Sequence, residues 1–193
     1  MVRVREFDTE AAVEAAMEAF RRKGYEGTSV QDLVDATGVG RGSLYAAFGN
    51  KEGLYLAAMD RYREQYALPL IELLRTGAPV RQLIREVLVG TVDAIVQDGS
   101  RKACLIVGAA MERIAHDPKV AAHVRATTTS LEDALYEVIA AARSIGELPT
   151  DRSPRDLARY LIVTLHGLRV LGAINPDRAS LMAVAETALD TLG

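Results

Sequence analysis

Residues 28–54 read TSVQDLVDATGVGRGSLYAAFGNKEGL, and their spacing predicts two short helices, a tight glycine-bearing turn and the start of a third helix. Thr28, followed at the third position by Gln31, has the form of a capping box. There the hydroxyl takes a free N–H of the first turn and the amide reaches back to the cap. Val30, Leu33 and Val34 fall at i, i+3 and i+4, so the short helix has one apolar face. Gly38 suits the left-handed residue that ends a helix, and Val39 the apolar plug of the turn. Gly40, Arg41, Gly42 and Ser43 open the second helix, whose Leu44 and Phe48, at i and i+4, turn it toward a small core. Tyr45, beside that pair, is expected to face outward. Asn50 is a strong cap for the helix behind, with Lys51 in its first turn.

The preceding segment extends the unit. Val13, Ala16, Met17 and Phe20 recur at helical spacing, Gly24 ends that helix and Tyr25 is available to pack beneath it. Three helices in about fifty residues, with one helix end left polar, make a helix-turn-helix, a layout that presents a helix to the major groove of DNA. Lys51 is out of place for the helix dipole, which prefers anions at a helix start. A DNA phosphate as that anion accounts for it. Charge points the other way: residues 1–53 carry seven basic and nine acidic side chains, net −2, where a DNA binder usually shows a basic footprint. Affinity then has to come from a few placed groups. Arg3 and Arg5 form either a short basic arm or a frayed terminus.

The segment GYEGTSVQDLVDATGVGRGSLYAAFGNKEGLY resembles the DNA-binding domain of the tetracycline-repressor (TetR) family of transcriptional regulators. The resemblance is carried by Gly24-Tyr25, Thr28-Ser29-Val30, Leu33, Gly38-Val39, Gly42-Ser43-Leu44-Tyr45, Phe48, Lys51-Glu52 and Leu54. It covers the first third of the chain closely, and the rest loosely through length and helical pattern. It implies a palindromic double-stranded DNA operator as partner, with contacts at Thr28, Ser29, Arg41, Gly42, Ser43, Tyr45 and Lys51. Three departures stand out: Leu33-Val34 for the usual isoleucine–alanine pair, Ala46-Ala47 for bulkier groups after the tyrosine, and Gly53 where helix formers are usual. The second shifts base readout onto Arg41, Gly42, Ser43 and Tyr45.

The remaining sequence reads as helices without strands, so the expected fold is all-α with about nine helices. The expected division is a helix-turn-helix domain over 1–53 and a second helical domain over 54–193. One long helix runs from Asn50 to about Arg75, with Pro69 placed to kink or interrupt it. Pro79 opens a helix to about Gln97; others span 102–115 and, after Asp117-Pro118, 118–144. Ser153-Pro154 opens a helix to about Ala173, and Asn175-Pro176 the last one, to Leu192. The final two are rich in Leu157, Leu161, Leu165, Gly167, Leu168, Ala185, Ala188 and Leu189, which read as core. The resemblance implies instead that these helices form a four-helix bundle with a second copy, so a homodimer is expected. It also implies a small-molecule effector bound among the middle helices of a ligand-binding and dimerisation domain, tilting the Asn50 helix.

At 193 residues the chain is long enough for a proper core. One cysteine excludes an internal disulfide framework and fits a reducing compartment. No apolar run reaches membrane-spanning length, and MVRVREFDTE has no secretory pattern, so a cytoplasmic protein without a membrane partner is expected. Cys104 follows Arg101 and Lys102 at a helix start, where cations and free N–H groups activate a thiol. Redox or electrophile sensing there stands against a buried, inert thiol. Met111, Tyr136 and Tyr160 are candidate pocket residues, or simple core. Glu112, His116 and His123 hint at a metal site that the Asp117-Pro118 break spoils, so no metal is assigned. His166 reads as a hydrogen-bonded core residue. No phosphate loop, nucleophile elbow or cysteine–histidine pair points to an enzyme or a cofactor. The alternative to a regulator is a helical scaffold with a degenerate helix-turn-helix, which Ala46-Ala47 and the acidic first helix favour.

Overall fold

The structure, a computed structural model, describes residues 7–98 and 102–192. Arg3 and Arg5, and the loop expected at 99–101, lie outside the described residues. Helices α1 (Thr9–Lys23), α2 (Val30–Thr37), α3 (Arg41–Phe48) and α4 (Lys51–Tyr62) come first, then a π turn (Arg63–Ala67) and α5 (Leu68–Leu74). After these come α6 (Val80–Asp98), α7 (Leu105–Glu112), α8 (Pro118–Ser144), α9 (Pro154–Ile174) and α10 (Arg178–Asp190). Counting α4, the π turn and α5 as one continuous run, nine helices and no strand stand among the described residues. The all-α expectation holds.

Pro69 explains the π turn. It has no N–H for the carbonyl of residue 65, and its ring crowds that carbonyl, so the ladder widens over 63–67 and the proline falls in the first turn of α5. Three other boundaries move from their expected places. Helix α7 begins at Leu105, not 102, because residues 102–103 run beside α1: Ala103 N–H donates to Arg21 O at 3.0 Å. Its end falls at Glu112, not 115. Helix α10 begins at Arg178, since Asp177 rather than Asn175 caps it, accepting from Ser180 N–H.

The described residues form two compact units, 7–65 with 102–125, and 66–98 with 126–192. Helix α7 and the first turns of α8 join the unit that begins with α1. In that unit α1 packs against α2 and α4, and Ala16, Met17, Phe20, Leu33, Tyr55 and Met59 are all buried. The Phe20 and Tyr25 rings each meet Tyr55 edge-on with centroids 4.8 Å apart, a geometry worth about 0.5–1.5 kcal/mol per pair beyond burial. Burial holds the Tyr55 phenol far above its ordinary pKa.

The second unit packs α6, α9 and α10 together with most of α8. Its core holds Leu83, Ile84, Val87, Leu88, Leu135 and Ile139, with Leu157, Leu161, Leu165 and Leu168 from α9 and Ala185, Ala188 and Leu189 from α10. The residues expected at a subunit interface are therefore, apart from exposed Gly167, this unit's own interior. Helix α9 has the length and hydropathy to cross a membrane, but one of its faces belongs to this core.

Candidate nucleic-acid interface

Helix α2 is capped one residue later than Thr28 and Gln31 suggest. Ser29 Oγ accepts from Asp32 N–H at 3.1 Å, and Asp32 accepts in return from Ser29 N–H at 2.8 Å, a complete capping box. Thr28 does not cap the helix: its side chain is buried, with 0% of the residue exposed, and its hydroxyl donates to Gly24 O at 2.6 Å. Gln31 bonds Asp35 instead. The Lys23 ammonium at 2.6 Å, with Ser29, holds the Asp32 carboxyl well below the usual carboxylate range.

Gly38 ends α2 in the left-handed conformation, φ 67°, where a Cβ would be strained, and half-buried Val39 fills the turn. Helix α3 then presents a polar, sparsely covered end. Gly40 caps it without a side chain, and Arg41 and Gly42 are exposed. Ser43 is half-buried, while Leu44 anchors the helix in the core. Tyr45 is half-buried, with the Arg41 guanidinium 5.2 Å from its ring centroid. Ala46 and Ala47 lie exposed beyond it. Asn50 caps α4 by accepting from Gly53 N–H at 2.9 Å. The glycine at 53 is required there, since a Cβ would run into the Phe48 carbonyl.

Lys51 does not stand free. Its ammonium lies 4.2 Å from the Tyr25 ring centroid, and burial lowers its pKa. Of the seven expected contact residues, Ser29, Arg41, Gly42, Ser43, Tyr45 and Lys51 keep surface exposure, and Thr28 has none.

The residues expected around a signal are divided between the two units. Cys104 and Met111 belong to the first unit, Tyr136 and Tyr160 to the second. Cys104 is 5% exposed at the N-cap of α7, and the Tyr62 hydroxyl donates to its sulfur at 3.3 Å. Met111 is 84% exposed. Tyr136 lies under the Arg155 guanidinium at 4.0 Å, while Tyr160 is exposed on α9. Neither Met111 nor Tyr160 is a core residue.

Two of the three hinted metal ligands have other partners. Glu112 accepts from Tyr25 N–H and Glu26 N–H, and His123 faces Lys119 O and Asp60. Among the described residues no group of three His, Cys, Asp or Glu is placed to hold a metal ion. His166 departs from expectation, for its buried Nδ1 has no hydrogen-bond partner.

Sequence reading missed the outward face of α9. Tyr160, Val163, Val170, Leu171 and Ile174, with Val184 of α10, are large apolar groups left exposed. The signal was a second stripe at 160, 163, 167, 170 and 174, interleaved with the buried one and concealed because only Thr164 and His166 interrupt the weakly polar or apolar run between Arg159 and Arg169.

Residues 12–58 match the family of bacterial regulatory proteins described as tetR, and residues 79–193 match the C-terminal domain of BetI-type transcriptional repressors. An HTH-type transcriptional regulator of Bacillus subtilis (strain 168), YezE, is 35% identical over the whole of both chains. The HTH-type transcriptional repressor ComR of Escherichia coli (strain K12) is 27% identical over 95% of this chain and 88% of its own. Among solved structures, a cysteine mutant of the TetR family regulator CifR, complexed with a 26-base-pair operator duplex, superposes with a TM-score of 0.88. It is 31% identical, over 98% of this chain and 99% of that one.

Proposed function

The chain belongs to the TetR family of bacterial transcriptional regulators, DNA-binding proteins rather than enzymes, and on that premise we propose that it is a dimeric, cytoplasmic repressor released from a palindromic operator by a chemical signal. The observation that carries the DNA reading is the end of α3. Arg41 and Gly42 are exposed, the capping position has no side chain, and Tyr45 is braced by Arg41, so backbone N–H groups, a cation and a phenol share one surface. Ser29, Ser43 and Lys51 flank it. The relative CifR was solved on operator DNA, which supports the same partner here.

The apolar outward face of α9 supports the dimer. Val163 is 69% and Ile174 68% exposed, a pattern that marks an interaction surface. A two-fold dimer reads two half-sites about 34 Å apart or a multiple of it, which supplies the specificity one small reading head lacks. The test is selection of a duplex from a random library, then anisotropy over a salt series. Specific binding with a negative salt slope supports the regulator. A folded dimer with no preference over random DNA favours the scaffold.

For the signal, an electrophile or oxidant acting at Cys104 is the reading with a structural route. Residues 102–104 are tied to α1 by Ala103 N–H to Arg21 O and by Lys102 to Glu18 at 2.7 Å. Bulk added to a thiol buried beside Tyr62 therefore loads α1 of the reading unit. Electrophile treatment should release the operator from the wild type and not from Cys104→Ser; equal release from both would assign the signal to another site or a reversible ligand.

A further inference from the structure

The corner where α7 ends and α8 begins holds the turn between α1 and α2 through a set of contacts that the regulator reading leaves unused. Glu112 Oε2 accepts from Tyr25 N–H at 2.8 Å and from Glu26 N–H at 3.1 Å. The fit is close, since a Cβ at Gly24 would run into the same carboxylate. Arg113 stands next in sequence, its guanidinium carbon 4.4 Å from the Tyr25 ring centroid. Its two terminal nitrogens reach Glu26 and Asp117, each at 3.2 Å. Asp117 in turn caps α8, accepting from Lys119 and Val120 N–H. Lys51 shares the Tyr25 ring with Arg113, and its neighbour Glu52 pairs with Lys119 at 3.4 Å.

We infer that Glu112 and Arg113 are positioning residues for DNA binding: through Tyr25 they seat the Lys51 ammonium at the start of α4. The inference rests on the reading of Lys51 as a phosphate contact. Physically, the Glu112 carboxylate ties down two adjacent backbone N–H groups by charge-assisted bonds, about twice as strong as neutral ones. That fixes where the Tyr25 ring lies. The ring is the surface against which a flexible lysine loses its freedom before DNA arrives, and a pre-ordered side chain binds with less entropy to lose. Arg113 presses the same ring from the α7–α8 corner. Burial lowers the Lys51 pKa; the Glu26 charge and, less strongly, that of Glu112 offset part of this, while the Arg113 charge adds to it. None of these residues needs to touch DNA except Lys51.

The test uses the full-length protein and a duplex selected by the wild type. Lys51→Ala, Glu112→Ala and the double variant are compared by anisotropy over a salt series, well below their unfolding midpoints. Glu112→Ala should weaken binding about five- to tenfold, in the range that side chains tuning a coupled network reach, and lower the salt slope by about one, as loss of a single phosphate contact does. The double variant should be no weaker than Lys51→Ala alone, since both changes remove one contact. Glu112→Gln, which keeps the shape and one acceptor oxygen, should lose less than Glu112→Ala. Losses that multiply in the double variant, or an unchanged slope in Glu112→Ala, would make Glu112 a general support of the fold and overturn the inference. If Lys51→Ala alone changes neither affinity nor slope, the phosphate reading of Lys51 fails first, and the two failures are distinct.

Discussion

The Thr28 hydroxyl donates to the Gly24 carbonyl at 2.6 Å inside the protein, four residues back along the chain. The residue that heads the recognisable motif thus closes the turn between α1 and α2, while its exposed neighbour Ser29 caps α2. Thr28→Val keeps the volume and removes the donor, leaving the half-buried Gly24 carbonyl less satisfied. It should cost about 1–3 kcal/mol of stability by urea denaturation, with operator affinity unchanged at temperatures where the variant is folded. Unchanged stability with weakened DNA binding would instead make Thr28 a contact.

On the exposed side, Arg41→Ala and Tyr45→Ala should each weaken binding to a selected duplex by about 1–3 kcal/mol. Sedimentation should show the same oligomer as the wild type. If either variant changes the oligomer, that side chain supports packing rather than reading.

The outward stripe of α9 separates two kinds of apolar residue on one helix. Val163→Asp places a charge on the exposed face and should yield a folded monomer by sedimentation equilibrium, with operator affinity reduced at least about a hundredfold, since one half-site is read alone. Leu165→Asp, two residues on and buried in the core, should abolish the cooperative unfolding transition. A dimer that survives Val163→Asp would move the interface elsewhere.

Acid stability has a named contributor. Lys23 and Ser29 depress the Asp32 pKa in the folded protein, so the carboxylate stabilises the fold above its unfolded pKa of about 3.9. That contribution is complete above about pH 5 and is lost as pH falls toward the depressed folded value. Asp32→Asn should lower stability at pH 7 and flatten its decline below pH 5 in urea titrations. A variant with the same acid slope as the wild type would assign that slope to other carboxylates, Glu18 and Asp117 first, both depressed in the fold.

Much of this protein follows from local chemistry. Helix periodicity, the left-handed Gly38, the Asn50 cap and the proline-marked starts of α8 and α9 depend on neighbours within a turn or two. They were legible in the chain and stand in the structure. The helix-turn-helix was legible as well, and its α3 begins with exposed Arg41 and Gly42.

Tertiary structure alone decided which of two adjacent polar residues turned inward at Thr28 and Ser29, because both suit a cap and only packing against α1 separates them. It likewise decided which apolar stripe of α9 was core and which was surface. It brought Glu112 and Arg113 to Tyr25 across more than eighty residues, a juxtaposition that no local spacing encodes. Local sequence determines what each segment is and what it presents; which faces meet is set by packing, where contacts far apart in the chain compete for the same buried space.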